Sequence, residues 1–185
     1  MNEREVQSVK PFFEELYEKY HRDLFQFIYY MVKNRQAAED LTQEVYIKVL
    51  QSYQSFDGRS SEKTWLFSIA RHVTIDYFRK QGRKRKKIME FFNWEEKGDS
   101  LKDNEALPDE VAELNDRMRE VYEALDQCTV DQKSVIILRY IQGMTIQETA
   151  AILQFTESKV KTTQHRGMLA LKKRLGVKGD NDHEA

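Results

Sequence analysis

Residues 142–166 read QGMTIQETAAILQFTESKVKTTQHR, and this stretch decides the fold. Gly143 ends one helix. Thr145-Ile146-Gln147-Glu148 then has the threonine-x-x-glutamate form, in which the threonine hydroxyl and the glutamate carboxylate each satisfy a backbone amide that the first helical turn leaves open. The helix so started is only about two turns long, because the short turn Gln154-Phe155-Thr156 follows Leu153. Thr156 can cap a longer helix that begins at Glu157. Two helices this close in sequence, with the small residue Ala150 at their crossing point, describe a helix-turn-helix over about 145–166.

The second of these helices has an exposed face suited to the major groove of DNA. Ser158, Lys161, Thr162 and His165 are spaced i, i+3, i+4, i+7, so they form one stripe near its N-terminal half, and all four can hydrogen-bond. Lys159 and Arg166 flank the stripe and can hold phosphates, while Val160, Gly167 and Leu171 face inward. An ordinary helical hairpin with a solvated basic face has the same local pattern, so the rest of the chain must decide between the two.

Working outward, the 185 residues contain only two prolines and seven glycines, which predicts long uninterrupted helices and an all-α fold. Two small helical domains are expected. In the first, residues 12–82, Phe13, Leu16, Tyr17, Tyr20, Leu24, Phe27, Ile28 and Met31 recur at helical steps over 12–32. A second helix is expected over about 36–53, with Leu41, Val45, Tyr46, Val49, Leu50 and Tyr53 on its buried stripe. The turn-forming residues of 55–61 break the pattern, and Ser60 or Ser61 can cap a third helix that runs to about 81. Residues 83–108 carry charge blocks, Gly98 and little periodicity beyond a local helix around 88–94, and read as a charged linker. Leu107-Pro108-Asp109-Glu110 then looks like a helix start. The second domain, 109–176, should hold helices over about 109–125, 131–142, 145–153 and 156–175.

The formal net charge of −1 hides blocks. Arg79, Lys80, Arg83, Lys84, Arg85, Lys86 and Lys87 form one basic run, and Lys159, Lys161, Arg166, Lys172, Lys173 and Arg174 form another. Between them lies an acidic stretch containing Glu90, Glu95, Glu96, Asp99, Asp103, Glu105, Asp109 and Glu110. The single cysteine, Cys128, excludes an internal disulfide, and the four histidines are too scattered to suggest a metal site with it. Met1 to Lys10 lacks the basic-then-apolar layout of a signal peptide, and the best apolar run, 24–32, is too short to span a bilayer. A soluble, cytoplasmic protein without membrane insertion is expected. No nucleophile–base pair, phosphate-cradling glycine loop or metal cluster points to an enzyme, and no cofactor is implied.

Two further faces stand out in the first domain. Asp40, Gln43, Glu44 and Ile47 line the outward side of the second helix, opposite its buried stripe. A solvated face needs no isoleucine, and a protein partner that accepts two carboxylates around an apolar contact accounts for it. On the third helix, Ser68, Arg71, His72, Ile75 and Arg79 share one face, opposite Leu66, Ile69, Ala70, Val73 and Tyr77. Polar and basic side chains beside Trp65, Phe67 and the preceding loop suit DNA strands whose bases have unstacked. The aromatic residues also suit a core, and for Trp65 core packing is the expected role.

The residues at 38–46 (AEDLTQEVY), 56–61 and 64–71 (TWLFSIAR), with Asp76 and Arg79, resemble region 2 of the extracytoplasmic-function (ECF) sigma factors of bacterial RNA polymerase. Residues 142–150 and 158–162 are similar to region 4 of the same family. The resemblance implies that Asp40, Gln43, Glu44 and Ile47 grip the clamp helices of the polymerase largest subunit. It places Phe56, Arg59, Ser60 and Ser61 in the loop that captures a flipped base of the −10 element, and Arg71, His72 and Arg79 on the −10 helix. Ser158, Lys159, Lys161, Thr162, His165 and Arg166 fall on the reader of the −35 element. The expected partners are core RNA polymerase, through its clamp helices and flap, promoter DNA, and an anti-sigma factor of the membrane-bound kind common in the family. His72 departs from the asparagine of many members, residues 154–156 lack the glycine often found in the turn, and Gln164 occupies a place usually apolar. The alternatives are a stand-alone helix-turn-helix regulator with an N-terminal sensor or dimerisation bundle, and a helical adaptor that binds only proteins.

Overall fold

The computed structural model describes residues 3–92 and 116–176, all of whose regular structure is helical. The chain divides into two compact units, Met1–Ala106 and Leu107–Ala185.

The first unit packs three helices against one another: α1 (Glu3–Val32), α2 (Arg35–Ser52) and α3 (Glu62–Phe92). Lys33 reverses the chain between α1 and α2 by adopting φ +54°, with its N–H donating 2.7 Å to the Tyr29 carbonyl. Asn34 then caps α2, its side chain accepting the Ala37 N–H at 2.7 Å. Leu24, Phe27 and Ile28 of α1, Ala38, Leu41, Val45 and Val49 of α2, and Leu66, Phe67, Ala70 and Val73 of α3 fill the interior. Burial of these side chains drives the assembly, each large one contributing on the order of 1.5–3 kcal/mol. The buried hydroxyls of Thr42 and Thr74 donate to the carbonyls of Ala38 and Ala70, so neither is left unsatisfied.

Two boundaries differ from the sequence expectation. α1 begins at Glu3 and passes through Pro11, whose missing N–H forfeits one backbone bond without ending the helix. α3 does not stop near 81 but continues to Phe92. Residues 81–92 contain no proline and are rich in good helix formers, and a helix tolerates a dense charge block when its long side chains reach water. Arg83, Lys84, Arg85 and Lys86 are therefore displayed on an exposed helix. The helix start expected at 107–110 lies outside the described residues.

The second unit comprises α4 (Asp116–Ala124), a 3-10 turn (Leu125–Gln127), α5 (Val130–Ile136), α6 (Ile146–Leu153) and α7 (Glu157–Leu175). Reciprocal capping boxes start α5, between Thr129 and Gln132, and α6, between Thr145 and Glu148. The helix expected over 131–142 exists, but its last turn, Ile137–Ile141, is π-helical, with Gln142 N–H donating to Ile137 O at 2.9 Å. Burial pulls the Lys133 ammonium below its ordinary pKa, while Asp126, 3.6 Å away, opposes that shift.

α7 is the central element of this unit, packing on α4, α5 and α6. Val160, Gly167 and Leu171 are its buried residues. At Gly167 the backbone approaches α5 so closely that a Cβ would lie 2.7 Å from Ile136 Cδ1 and 3.3 Å from Gln132 Cβ. Gly167→Ala should therefore lose about 1 kcal/mol or more in urea unfolding, the overpacking outweighing the better helix propensity of alanine. Adding Ile136→Val removes the clashing methyl and should recover part of the loss; a neutral or stabilising Gly167→Ala would show that the Ile136 side chain moves aside without cost.

Candidate functional site

Three surfaces carry the candidate side chains, and the first is the helix-turn-helix. Gln154 supplies the left-handed residue of its turn, at φ 55° and ψ 41°, where a glycine would meet no steric cost. The following Phe155 N–H donates to Ala150 O at 2.9 Å, and Thr156 caps α7 by accepting the Lys159 N–H at 3.1 Å. Beyond that cap, Ser158, Lys161, Thr162, His165 and Arg166 are all exposed. Thr162 donates its hydroxyl proton to Ser158 O at 3.0 Å, which leaves its oxygen as an acceptor on the stripe. Lys159 is differently placed: its ammonium sits 3.4 Å from the centre of the Phe155 ring and 3.8 Å from an Asp131 carboxylate oxygen at the start of α5.

Gln164, half-buried beside the stripe, has a polar role that sequence reasoning missed. Its Oε1 accepts from Arg139 Nε at 3.2 Å and its Nε2 donates to the Tyr140 hydroxyl at 2.9 Å, while Arg139 Nη1 donates to the Met144 carbonyl. These bonds tie α7 to the π-helical turn and to the entry of α6. The only signal available in the sequence was Gln164 at an otherwise apolar position; Arg139 lies 25 residues away and no local pattern pairs them.

The second surface is the loop before α3 and the polar face of that helix. Asp57 folds the loop by accepting from the Arg59 N–H at 3.1 Å and from Arg59 Nε at 2.8 Å, and Gly58 adopts φ +71°. Arg59 remains 88% exposed at its side chain. Ser61, rather than Ser60, caps α3 by accepting the Thr64 N–H at 3.1 Å. Phe56 is half-buried, its ring centre 4.8 Å from that of Trp65 and 5.9 Å from that of Phe12. The aromatic cluster anchors the base of the loop, and Asp57, Gly58, Arg59, Ser60 and Ser61 are exposed beyond it. Along α3, His72 is exposed and its Nδ1 lies 2.7 Å from Ser68 O; since a carbonyl only accepts, Nδ1 carries the proton. Arg79 is exposed beside Asp76 at 3.3 Å, and Arg71 is half-buried, its Nε shielded without a hydrogen-bond partner among the described residues.

The third surface is α2. Asp40, Gln43 and Ile47 are exposed and Glu44 is half-buried, all on the side away from Leu41, Val45 and Val49. Ile47 is 54% exposed, an apolar patch between carboxylates. Gln36 Nε2 donates to Asp40 at 3.1 Å and Lys48 lies 3.9 Å from Glu44, contacts weak enough at a surface for a partner to replace. Among the described residues no cluster of His, Cys, Asp and Glu could hold a metal ion, and no helix is long and apolar enough to cross a membrane.

A three-helix unit followed by a helix-turn-helix unit, each with polar faces turned to solvent, defines a two-domain DNA-binding protein. Residues 16–84 match the family description Sigma-70 region 2, and residues 118–171 match Sigma-70, region 4. The chain is 59% identical over 163 residues to the ECF RNA polymerase sigma factor SigX of Bacillus subtilis, covering 88% of this chain and 83% of that protein. It is 30% identical over 163 residues to the RNA polymerase sigma factor YlaC of the same organism, covering 88% and 91%. A solved structure of the sigma factor RpoE with the anti-sigma factor NepR from Bartonella quintana has the same fold, with TM-score 0.66, 24% identity, and coverage of 90% of this chain and 98% of that one. The chain belongs to the ECF RNA polymerase sigma factors and directs promoter recognition by the polymerase.

The strained cap at Gln154 generates a prediction for the site. Gln154→Gly should raise the thermal midpoint, relieving up to about 1 kcal/mol of left-handed backbone strain, and Gln154→Val should lower it, because a β-branched side chain tolerates that conformation least.

Proposed function

We propose that this sigma factor works through three separable surfaces: α2 docks on core polymerase, the loop before α3 with the face of α3 acts on the −10 element, and α7 reads the −35 element. One observation carries this reading. A unit matching region 2 and a helix-turn-helix matching region 4 occur in one chain, and each displays most of its candidate residues on an exposed face, Glu44, Phe56 and Arg71 being half-buried. A stand-alone regulator would leave the region 2 likeness of residues 16–84 unexplained.

On α2, Asp40, Gln43, Glu44 and Ile47 meet the clamp helices of the largest subunit, the carboxylates pairing with basic groups around the isoleucine contact; the second unit also meets the flap. At the −10 element, Phe56 roots a loop whose Arg59, Ser60 and Ser61 receive a flipped base, and capture of that base offsets part of the melting cost. Arg71, His72 and Arg79 continue along the opened strand. At the −35 element Ser158, Lys161, Thr162 and His165 face base edges, with Lys159 and Arg166 holding phosphates. Lys159 must leave Phe155 and Asp131 to do so, which makes Arg166 the stronger anchor. The exposed basic end of α3 adds phosphate contacts that carry no base preference.

Every one of these roles is binding, so the chain acts without catalytic residues of its own and in the cytoplasm, where polymerase and promoter are found. The sigma factor RpoE of Bartonella quintana was solved in complex with the anti-sigma factor NepR, and an anti-sigma partner, membrane-bound as in much of the family, is proposed here too.

Charge reversal tests docking. Asp40→Lys with Glu44→Lys should weaken core-polymerase binding at least tenfold while circular dichroism shows unchanged helix content; a folded double mutant of full affinity removes α2 from the interface. Opening is tested separately. Alanine at Arg59, Ser60, Arg71 and His72 should impair open-complex formation on a duplex promoter more than on a pre-melted one, and equal loss on both would make these residues general DNA contacts.

A further inference from the structure

The hydrogen bonds around Gln164 have a fixed polarity that ends in an unfilled donor. Arginine only donates, so Gln164 must present its carbonyl oxygen to Arg139, and its NH2 group is thereby aimed at the Tyr140 hydroxyl. The Tyr140 oxygen is consequently an acceptor in that bond, and its own proton is directed elsewhere. No group among the described residues receives it. Tyr140 is 55% exposed, and its hydroxyl lies 2.9 Å from a residue that stands directly beside His165 and one turn from Lys161 on α7. The amide of Gln164 holds the Tyr140 hydroxyl against α7.

We propose that Tyr140 is a further DNA-binding residue: its hydroxyl donates to a backbone phosphate oxygen at the lip of the groove that α7 enters. The acceptor fits the chemistry. A neutral donor whose oxygen already accepts a hydrogen bond is a better donor for it, and phosphate oxygens are the abundant anionic acceptors beside any groove-bound helix. The contact is neutral, which separates it from those of Lys159 and Arg166. It also explains why a glutamine at position 164 is compatible with a reading helix: the amide links Arg139 to Tyr140 and sets the position of the hydroxyl. This inference rests on α7 being the −35 reader.

The test uses holoenzyme reconstituted with the full chain carrying Tyr140→Phe, on promoters in which single phosphates through the −35 element are replaced by neutral methylphosphonates. The parent should lose about tenfold in affinity at one phosphate, the scale of a hydrogen bond to a charged group, and Tyr140→Phe should show that loss on unmodified DNA with no further loss at that position. Its affinity should fall alike on promoters of different −35 sequence, and its salt dependence should match the parent, since a neutral donor displaces no counterion. Full additivity of the substitution with every methylphosphonate, unchanged affinity of Tyr140→Phe, or a loss confined to core-polymerase binding would each overturn the proposal. Lys161→Ala, run in parallel, reports on the underlying reading. If it leaves −35 base preference unchanged, α7 is not the reader, whereas altered preference with an additive Tyr140→Phe removes the tyrosine contact alone.

Discussion

The close approach of α7 to α5 at Gly167 is the constraint on which the second unit depends. A reading helix is useful only if it is held at one angle, and a unit this small has few apolar residues with which to hold it. Val160, Gly167 and Leu171 are the buried residues of α7, and the missing side chain at Gly167 lets Ile136 fill the space against the backbone. Polar bonds complete what packing begins: Arg139 and Gln164 join α7 to the turn before α6, and the αL residue Gln154 fixes the corner between α6 and α7. Exposure of Ser158, Lys161, Thr162 and His165 follows from that placement, because the opposite face of the helix is committed to the core.

The first unit solves a different problem, since its candidate faces lie on two helices and a loop. Lys63 of α3 reaches Asp23 of α1 at 2.8 Å, and Phe27 and Phe67 meet inside with ring centres 5.4 Å apart. The frame so held lets the loop before α3 expose Arg59 while Phe56 and Trp65 close its base. Elsewhere in the unit, Tyr17, His21 and Tyr46 stack together, and burial pushes the Tyr46 phenol well above its ordinary pKa. That cluster braces α1 against α2 behind the face that carries Ile47.

Most of the fold was legible in the sequence because its signals are local. The capping box at Thr145, the cap at Thr156, the turn at 55–61 and apolar residues at helical spacing each act over a few residues, and Leu41, Val45, Tyr46 and Val49 of the stripe read on α2 are buried, with Leu50 and Tyr53 half-buried at its end. The outward position of Ile47 was likewise written in periodicity alone. Features that depend on distant pairs were not legible. The Arg139–Gln164–Tyr140 chain joins residues from separate helices, and the engagement of Lys159 with Asp131 depends on how α7 crosses the start of α5. The helical end of α3 was hidden for another reason: a dense charge block has the composition of a linker, but its high helix propensity prevails where no proline intervenes.

A formal charge of −1 predicts weak DNA binding by the free protein despite its two basic blocks, which attachment to polymerase would offset by raising the effective concentration of both units at one promoter. Dependence on polymerase is thus the central claim. It is tested most directly by run-off transcription from a promoter of this sigma factor with purified core polymerase, with and without the protein, alongside a DNA-binding assay of the protein alone under the same salt. The account predicts a discrete transcript only when both are present and negligible promoter binding by the free chain. Tight, sequence-specific binding by the free chain with no effect on transcription would contradict it.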